Sequence, residues 1–349
     1  MLDIMTRTGN RALTAGILAL ALAGTSATAL LGQQEPPMEP PAHWGPISST
    51  LEEVEYPNPV HFMDLRIYGQ DVQLAYQDVA PTGTPNGQAV MLFHGMNFAG
   101  YASGGTIEDL AAAGFRVVVP DRIGYGRSSK PDIPYNFNMV VSNARALLDH
   151  LDIEEAAIVG HSMGGMVASR FALIYPDITT HVVMVNQIGL SDQRLNRPWR
   201  DIEAAYQGAL NSSYQGILRN HMSYYPTWDN EYLEWVRIQY GMTLTSEWPR
   251  LARIRAWQQE MLYLDPVVYD WQHIDTKALV IGGAQDGLTP RWEELARGVA
   301  ESLQNAELIL YPGIGHNPQF EIREQFHGDL ISFLLSDPNE PANTEWQDD

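Results

Sequence analysis

The chain has 349 residues, enough for one large α/β domain with an insertion or for two modest domains. Apolar residues make up 45% of it and charged residues 18%, which suits a globular protein with a sizeable core. Its net charge of −21 argues against nucleic acid and anionic membranes as partners, and the absence of cysteine excludes disulfides, thiolate metal sites and a cysteine nucleophile.

In chain order, Arg7 and Arg11 precede an apolar run from Ala12 to Leu31 that ends in small residues, including Ala27-Thr28-Ala29. A positive region, an apolar region and a small-residue cleavage site make residues 1–29 read as a signal peptide, with a periplasmic or secreted product. The rival reading is an uncleaved anchor, since the run is nearly long enough to span a bilayer. Its many Ala, Gly and Thr residues favour cleavage, after which no stable membrane association is expected. Residues 30–50 are expected to form a Pro-rich tether, with five prolines between positions 33 and 49.

Residues 51–79 read as extended segments: LEEVEYP, HFMDLRIY and VQLAYQDV, the last two joined by a turn at Gly69-Gln70-Asp71. From Ala89 the pattern changes. AVMLFHG, RVVVPD, AAIVGH, HVVMVN, ALVIGG and ELILYPG are continuous apolar runs bounded by turn residues, as expected of strands buried on both faces of a parallel sheet. Helical stretches lie between them at roughly 105–113, 138–151, 163–175 and 291–303, with a last one at about 321–335. This alternation implies an α/β fold with a doubly wound, mostly parallel sheet. The alternation breaks between Asn186 and Lys277, where a helical cap is expected after the sixth core strand. The predicted layout is therefore core 51–189, cap or lid 190–275, core 276–336 and an acidic, frayed tail 337–349.

The strongest chemical signal is Gly160-His161-Ser162-Met163-Gly164-Gly165, between the strand AAIV and the helix MVASRFALIY. A serine there sits on a sharp strand-to-helix turn, with glycines where a side chain would clash, and the Met163 N–H faces a developing oxyanion. A serine hydroxyl needs a base, expected late in the chain; His316 in GIGHNP, after ELILYP, occupies that place. The acid is expected after the preceding strand, where Asp286 stands in AQDGLTP; Asp192 is the alternative after the earlier strand. The second oxyanion donor is expected in the loop Phe93-His94-Gly95-Met96-Asn97, with Met96 as the candidate through its main-chain N–H. His94 is assigned to bracing that loop rather than to catalysis.

LFHGMN, DRIGYGRS, GHSMGG and the pair GGAQDGLTP with GIGHNP occur in an order that resembles the α/β-hydrolase superfamily, over nearly all of residues 51–336. The resemblance implies a cofactor-independent hydrolase with a lid after the sixth strand, and Ser162, Asp286 and His316 as its triad. Relatives with an aspartate nucleophile, such as epoxide hydrolases and haloalkane dehalogenases, fit poorly, because this chain has Ser162. Haloperoxidase-like and C–C bond hydrolases share the serine triad and stay open. No metal site is visible: there is no HExxH, and the histidines lack ligand-like spacing.

Of the 25 Trp and Tyr residues, 14 fall between positions 190 and 275. Such rings can pack short helices together or line a pocket. His221, Met222, Tyr224, Tyr225 and Trp228 form the candidate substrate-contacting cluster, with His161 beside the serine. The function these features predict is cleavage of a small apolar or aromatic carboxylic ester through an acyl-enzyme. The alternatives are amide or C–C cleavage by the same triad and, from a different class, a binding module that kept the fold without turnover.

Overall fold

The six continuous apolar runs form the centre of an eight-stranded sheet in the computed structural model, which describes residues 35–344. The expected signal peptide lies outside the described residues. The strands are β1 (His61–Ile67), β2 (Gln70–Val79), β3 (Ala89–Phe93), β4 (Arg116–Pro120), β5 (Ala156–His161), β6 (Thr179–Val185), β7 (Lys277–Gly283) and β8 (Ala306–Tyr311). They lie in the order β1-β2-β4-β3-β5-β6-β7-β8. Strands β3 to β8 are parallel, and the β1–β2 hairpin joins antiparallel through β2 to β4.

The runs lack polar residues because both faces are covered. Along β3, Ala89, Met91 and Phe93 enter one core cluster while Val90 and Leu92 enter another, the period of two of a pleated strand. Helices α1 (Gly104–Ala112), α2 (Phe137–His150) and α3 (Met163–Ile174) follow β3, β4 and β5. The sixth strand leads into an insertion with α4 (Ile202–Leu210), α5 (Tyr214–Met222), α6 (Leu233–Thr243) and α7 (Trp248–Leu264). After β7 and β8 come α8 (Trp292–Ser302), α9 (Pro318–Glu321) and α10 (Arg323–Leu334). Residues from α2, α3 and α8 fill the cluster on one face of the sheet, and residues from α1 and α10 fill the other. No helix among the described residues is long and apolar enough to cross a membrane.

Three local expectations change. The hairpin turns at Tyr68-Gly69, where φ is 49° and 81°, a pair of positive values that matches the twist of the flanking strands. Leu51–Pro57 is not a strand: Leu51 has φ 54°, and Leu51 and Val54 are buried against Ile47 and Ile238. The start of the tail is held down, with the Ala342 N–H on Asn305 Oδ1 at 2.6 Å and the Lys277 ammonium on the Asp337 carbonyl at 3.1 Å. Residues 35–50, expected as a tether, contain neither helix nor strand. They run over the insertion, where the Tyr214 hydroxyl donates to the Pro37 carbonyl at 2.6 Å and the Ile47 N–H to Gly241 O at 3.0 Å.

The strand order reverses around β3, which has β4 on one side and β5 on the other. In open α/β sheets that reversal leaves a crevice beyond the carboxyl ends of the strands. Gly95 and Ser162 follow the two strands that meet there.

Candidate active site

The turn after β5 places Ser162 at φ 56°, ψ −119°, and its N–H donates to Val185 O at 2.9 Å. A non-glycine residue with positive φ is uncommon and marks strain held by its surroundings. Those surroundings are tight. A Cβ on Gly160 would lie 2.0 Å from Gly164 O, and one on Gly164 would lie 2.2 Å from Phe93 O, both backbone atoms. The elbow thus needs bare backbone on both sides of the serine. Met163 opens α3, so its N–H has no carbonyl of the same helix to bond.

The loops after β7 and β8 meet beside this turn. His316 Nδ1 donates to Asp286 Oδ2 at 2.6 Å, with both side chains almost wholly buried. Asp286 Oδ1 accepts the N–H groups of Leu288 (2.8 Å) and Thr289 (3.1 Å), and Oδ2 also accepts Asn186 Nδ2 at 3.2 Å. Burial pushes the Asp286 pKa up, but His316 and these hydrogen bonds outweigh it and hold the carboxyl below its usual value. Asn186 is fastened in turn by Gly283, whose N–H donates to its Oδ1 at 2.9 Å. Asp192 turns elsewhere, to Arg194 Nη2 at 2.7 Å and the Tyr269 hydroxyl at 2.8 Å.

The His316 main chain is anchored on three sides. Its N–H donates to Tyr224 O at 2.6 Å and its carbonyl bonds His161 Nε2 at 2.9 Å. The Glu321 carboxylate accepts the N–H groups of Gly315 (3.0 Å) and Asn317 (3.2 Å), one on each flank. The His161 and His316 rings lie 4.9 Å apart, so the residue before the serine touches the histidine itself.

The loop after β3 closes over the serine. A Cβ on Gly95 would sit 3.2 Å from Ser162 Cβ, so this backbone passes directly alongside the elbow. His94 lies buried behind it, Nδ1 on Gly95 O at 2.8 Å, with the Arg122 N–H on Nε2 at 3.3 Å. Burial and the neighbouring Arg122 push its pKa well below the usual histidine value. Met96 is half-buried at the rim of a cavity, and Asn97 donates to the Tyr224 hydroxyl while accepting from Arg255.

The structure divides the candidates of the insertion. The Tyr224 ring lies 5.1 Å from that of His316, and its hydroxyl also accepts Asn220 Nδ2 at 2.8 Å. His221, buried beside Tyr224, bonds Gln239 Oε1 through Nε2 at 2.9 Å, and burial pushes its pKa down to about 4. Burial and then His316 push His161 down to about 3. Tyr225 stacks on Tyr232 at 3.7 Å and Trp228 meets Tyr232 edge-on at 5.7 Å. Met222 is exposed. Asn97, Asn186, Arg255 and Glu321 had no local sequence signal as site residues. The one available hint was the polar residue that closes β6. No group of three or more His, Asp or Glu side chains placed to hold a metal ion occurs among the described residues.

Comparison with known proteins places the chain among related sequences and structures. The family described as alpha/beta hydrolase fold matches residues 88–321. A solved probable hydrolytic enzyme from Pseudomonas aeruginosa superposes with a TM-score of 0.81 and 34% identity, over 84% of this chain and 99% of that one. An uncharacterised protein of Mycobacterium bovis is 37% identical over 106 residues, a match that spans 30% of this chain and 31% of that relative. The 2-hydroxy-6-oxo-6-phenylhexa-2,4-dienoate hydrolase of Burkholderia cepacia is 29% identical over 268 residues, covering 72% of this chain and 88% of its own length.

Proposed function

The chain belongs to the α/β-hydrolase family, and from that premise we propose that it is a serine hydrolase cleaving a carboxylic ester with an apolar or aromatic body. The observation that carries this reading is the buried His316–Asp286 pair, 2.6 Å between heavy atoms, set against the strained turn of Ser162. Ser162 Oγ attacks the ester carbonyl and His316 Nε2 takes its proton. Asp286 holds the Nδ1–H tautomer and stabilises the imidazolium that forms. The main-chain N–H groups of Met96 and Met163 receive the oxyanion. The alcohol leaves with the proton from His316, and water then cleaves the acyl-enzyme with the same histidine as base. His94 takes no part in this scheme, because both its ring nitrogens are engaged, Nδ1 by Gly95 O and Nε2 by the Arg122 N–H.

The test is labelling by a fluorophosphonate followed by peptide mapping, with a burst measurement on an activated aryl ester. Label on Ser162, lost together with the burst in Ser162→Ala, is the expected result. Turnover that survives in Ser162→Ala would refute the mechanism. The likeness to the dienoate hydrolase supports a second reading, in which the same serine acts on a bond other than an ester. A panel of aryl esters, lactones, amides and vinylogous diketones separates the two.

Export completes the proposal: residues 1–29 are removed and the product resides in the periplasm or medium. Mass spectrometry of the recovered protein should find a chain shortened by about 29 residues. An intact N-terminus on membrane-bound protein would overturn it.

A further inference from the structure

We propose that the cavity between the Met96–Phe98 loop and α7 receives a carboxylate carried by the substrate, with Arg255 as the residue that recognises it. The proposal rests on the reading of Ser162 as nucleophile, because Met96, which lines this cavity, directly follows Gly95, whose backbone passes alongside the elbow. The space in the cavity open to water-sized molecules is about 70 Å³, several times the roughly 10–15 Å³ that one water needs and room for a carboxylate group.

The argument begins with charge. The chain carries 42 acidic residues, yet no carboxylate lines this cavity. Helix α7 turns one face to it, with Trp248, Leu251, Arg255 and Gln258 three or four residues apart. On the same helix Arg250 and Arg253 are paired with Glu247 and Glu203. Arg255 has no carboxylate within ion-pair distance among the described residues. Its guanidinium makes one hydrogen bond there, from Nη2 to Asn97 Oδ1. A guanidinium has five N–H donors in a planar fork and stays charged at neutral pH, so most of its donors have no protein acceptor.

Arg255 is half-buried with one neutral partner, and a fork of uncommitted donors is what a carboxylate pairs with in bidentate fashion. The second cation at the cavity, Lys130, is committed to the carbonyls of Gly126 (2.6 Å) and Ser128 (2.9 Å). One available guanidinium matches a singly charged anion; a phosphate dianion would keep uncompensated charge. Apart from three amide side chains, of Asn97, Gln239 and Gln258, the rest of the lining is apolar or aromatic, with Tyr101, Tyr125, Ile238 and Met242 among it. The ligand is therefore an apolar body that ends in one carboxylate. The cavity also adjoins the elbow helix, since the Tyr125 hydroxyl contacts Met163 Sδ at 3.9 Å.

The experiment compares matched esters on the full chain. One pair places the charge in the acyl half: 4-nitrophenyl hydrogen glutarate against its methyl ester. The other places it in the alcohol half: 4-acetoxybenzoate against its methyl ester. The carboxylate member of at least one pair should have kcat/KM about tenfold or more above its neutral partner. Arg255→Gln should lower that ratio by about 10- to 100-fold, chiefly through KM, and Arg255→Lys should restore part of it. The ratio separates recognition from a bracing role through Asn97, which would slow both members of a pair alike. A wild-type ratio of one or less in both pairs, or a ratio that Arg255→Gln leaves in place, overturns the proposal.

Failure of the hydrolase reading shows separately, as absence of fluorophosphonate label on Ser162. In that event calorimetry with monomethyl glutarate against dimethyl glutarate reads the site directly. Binding of the monoanion that Arg255→Gln abolishes supports the site, and equal binding of the two compounds overturns it. Should Arg255→Gln fail to fold, the wild-type ratio and Arg255→Lys carry the test.

Discussion

Replacing Gly160 by alanine tests the physical basis of the elbow more directly than removing the serine. The added Cβ would lie 2.0 Å from Gly164 O, 2.2 Å from Gly164 C and 2.6 Å from Gly165 N. All three are backbone atoms at the start of α3, so no side chain can swing aside. Cβ contacts below 3.0 Å are essentially never seen, so strand and helix must part by about 1 Å. Overpacking of this kind costs typically 1–3 kcal/mol. The same 1 Å displaces Ser162 from His316, an error worth about 10²-fold in rate. Gly160→Ala should therefore melt several degrees lower and label with fluorophosphonate about a hundred times more slowly than the parent chain. Gly298→Ala is the control: a Cβ there meets nothing within 4 Å, and alanine in place of an interior helical glycine should stabilise by about 0.5–1 kcal/mol. Thermal melts and labelling time courses of the three proteins decide the matter. A Gly160→Ala chain that labels at the parent rate would refute the steric account of the turn.

Asp286→Asn should keep the fold and lower ester turnover by roughly 10⁴-fold, whereas Asp192→Asn, whose partners are Arg194 and Tyr269, should change it by less than about twofold. The reverse pattern would move the acid to the earlier strand. Glu321→Gln removes a charged acceptor that holds the N–H groups on both flanks of His316, so kcat should fall roughly tenfold with KM nearly constant, as read from full saturation curves. Stability should fall in acid through His221, whose folded pKa is depressed to about 4 by burial. Its contribution is complete above the unfolded value of about 6.5 and is lost as pH drops from there towards about 4, because the unfolded chain binds the proton first. At pH 5 this amounts to about 2 kcal/mol, so denaturant titrations of His221→Gln should show a shallower loss between pH 7 and 5 than the parent. Equal slopes would exclude the buried neutral histidine as a source of acid lability.

The continuous apolar runs at β3 to β8 predicted buried parallel strands, because a strand covered on both faces has no position left for a polar side chain. The elbow was equally legible. Gly160, Ser162 and Gly164 are neighbours in the chain, and the turn they make is governed by clashes within a few residues. The order of Ser162, Asp286 and His316 followed from which strand each residue comes after. Tertiary packing decided the rest. LEEVEYP has an extended-looking pattern, yet its apolar residues are buried against Ile47 and Ile238 instead of pairing in the sheet. Asn97, Tyr224 and Arg255 lie in segments more than 100 residues apart for two of the three pairs, and no spacing rule relates them. Tyr224 was one of several candidates in the insertion, and only the fold shows that it, just after α5, is the one set against His316. Arg255 carries no signal in the sequence, and it is α7 that turns it towards the loop after β3. Local sterics and strand periodicity act over a few residues and leave their mark in the sequence. The partner of a charged side chain depends on which surfaces meet when the insertion docks on the sheet edge, and only the folded chain specifies that.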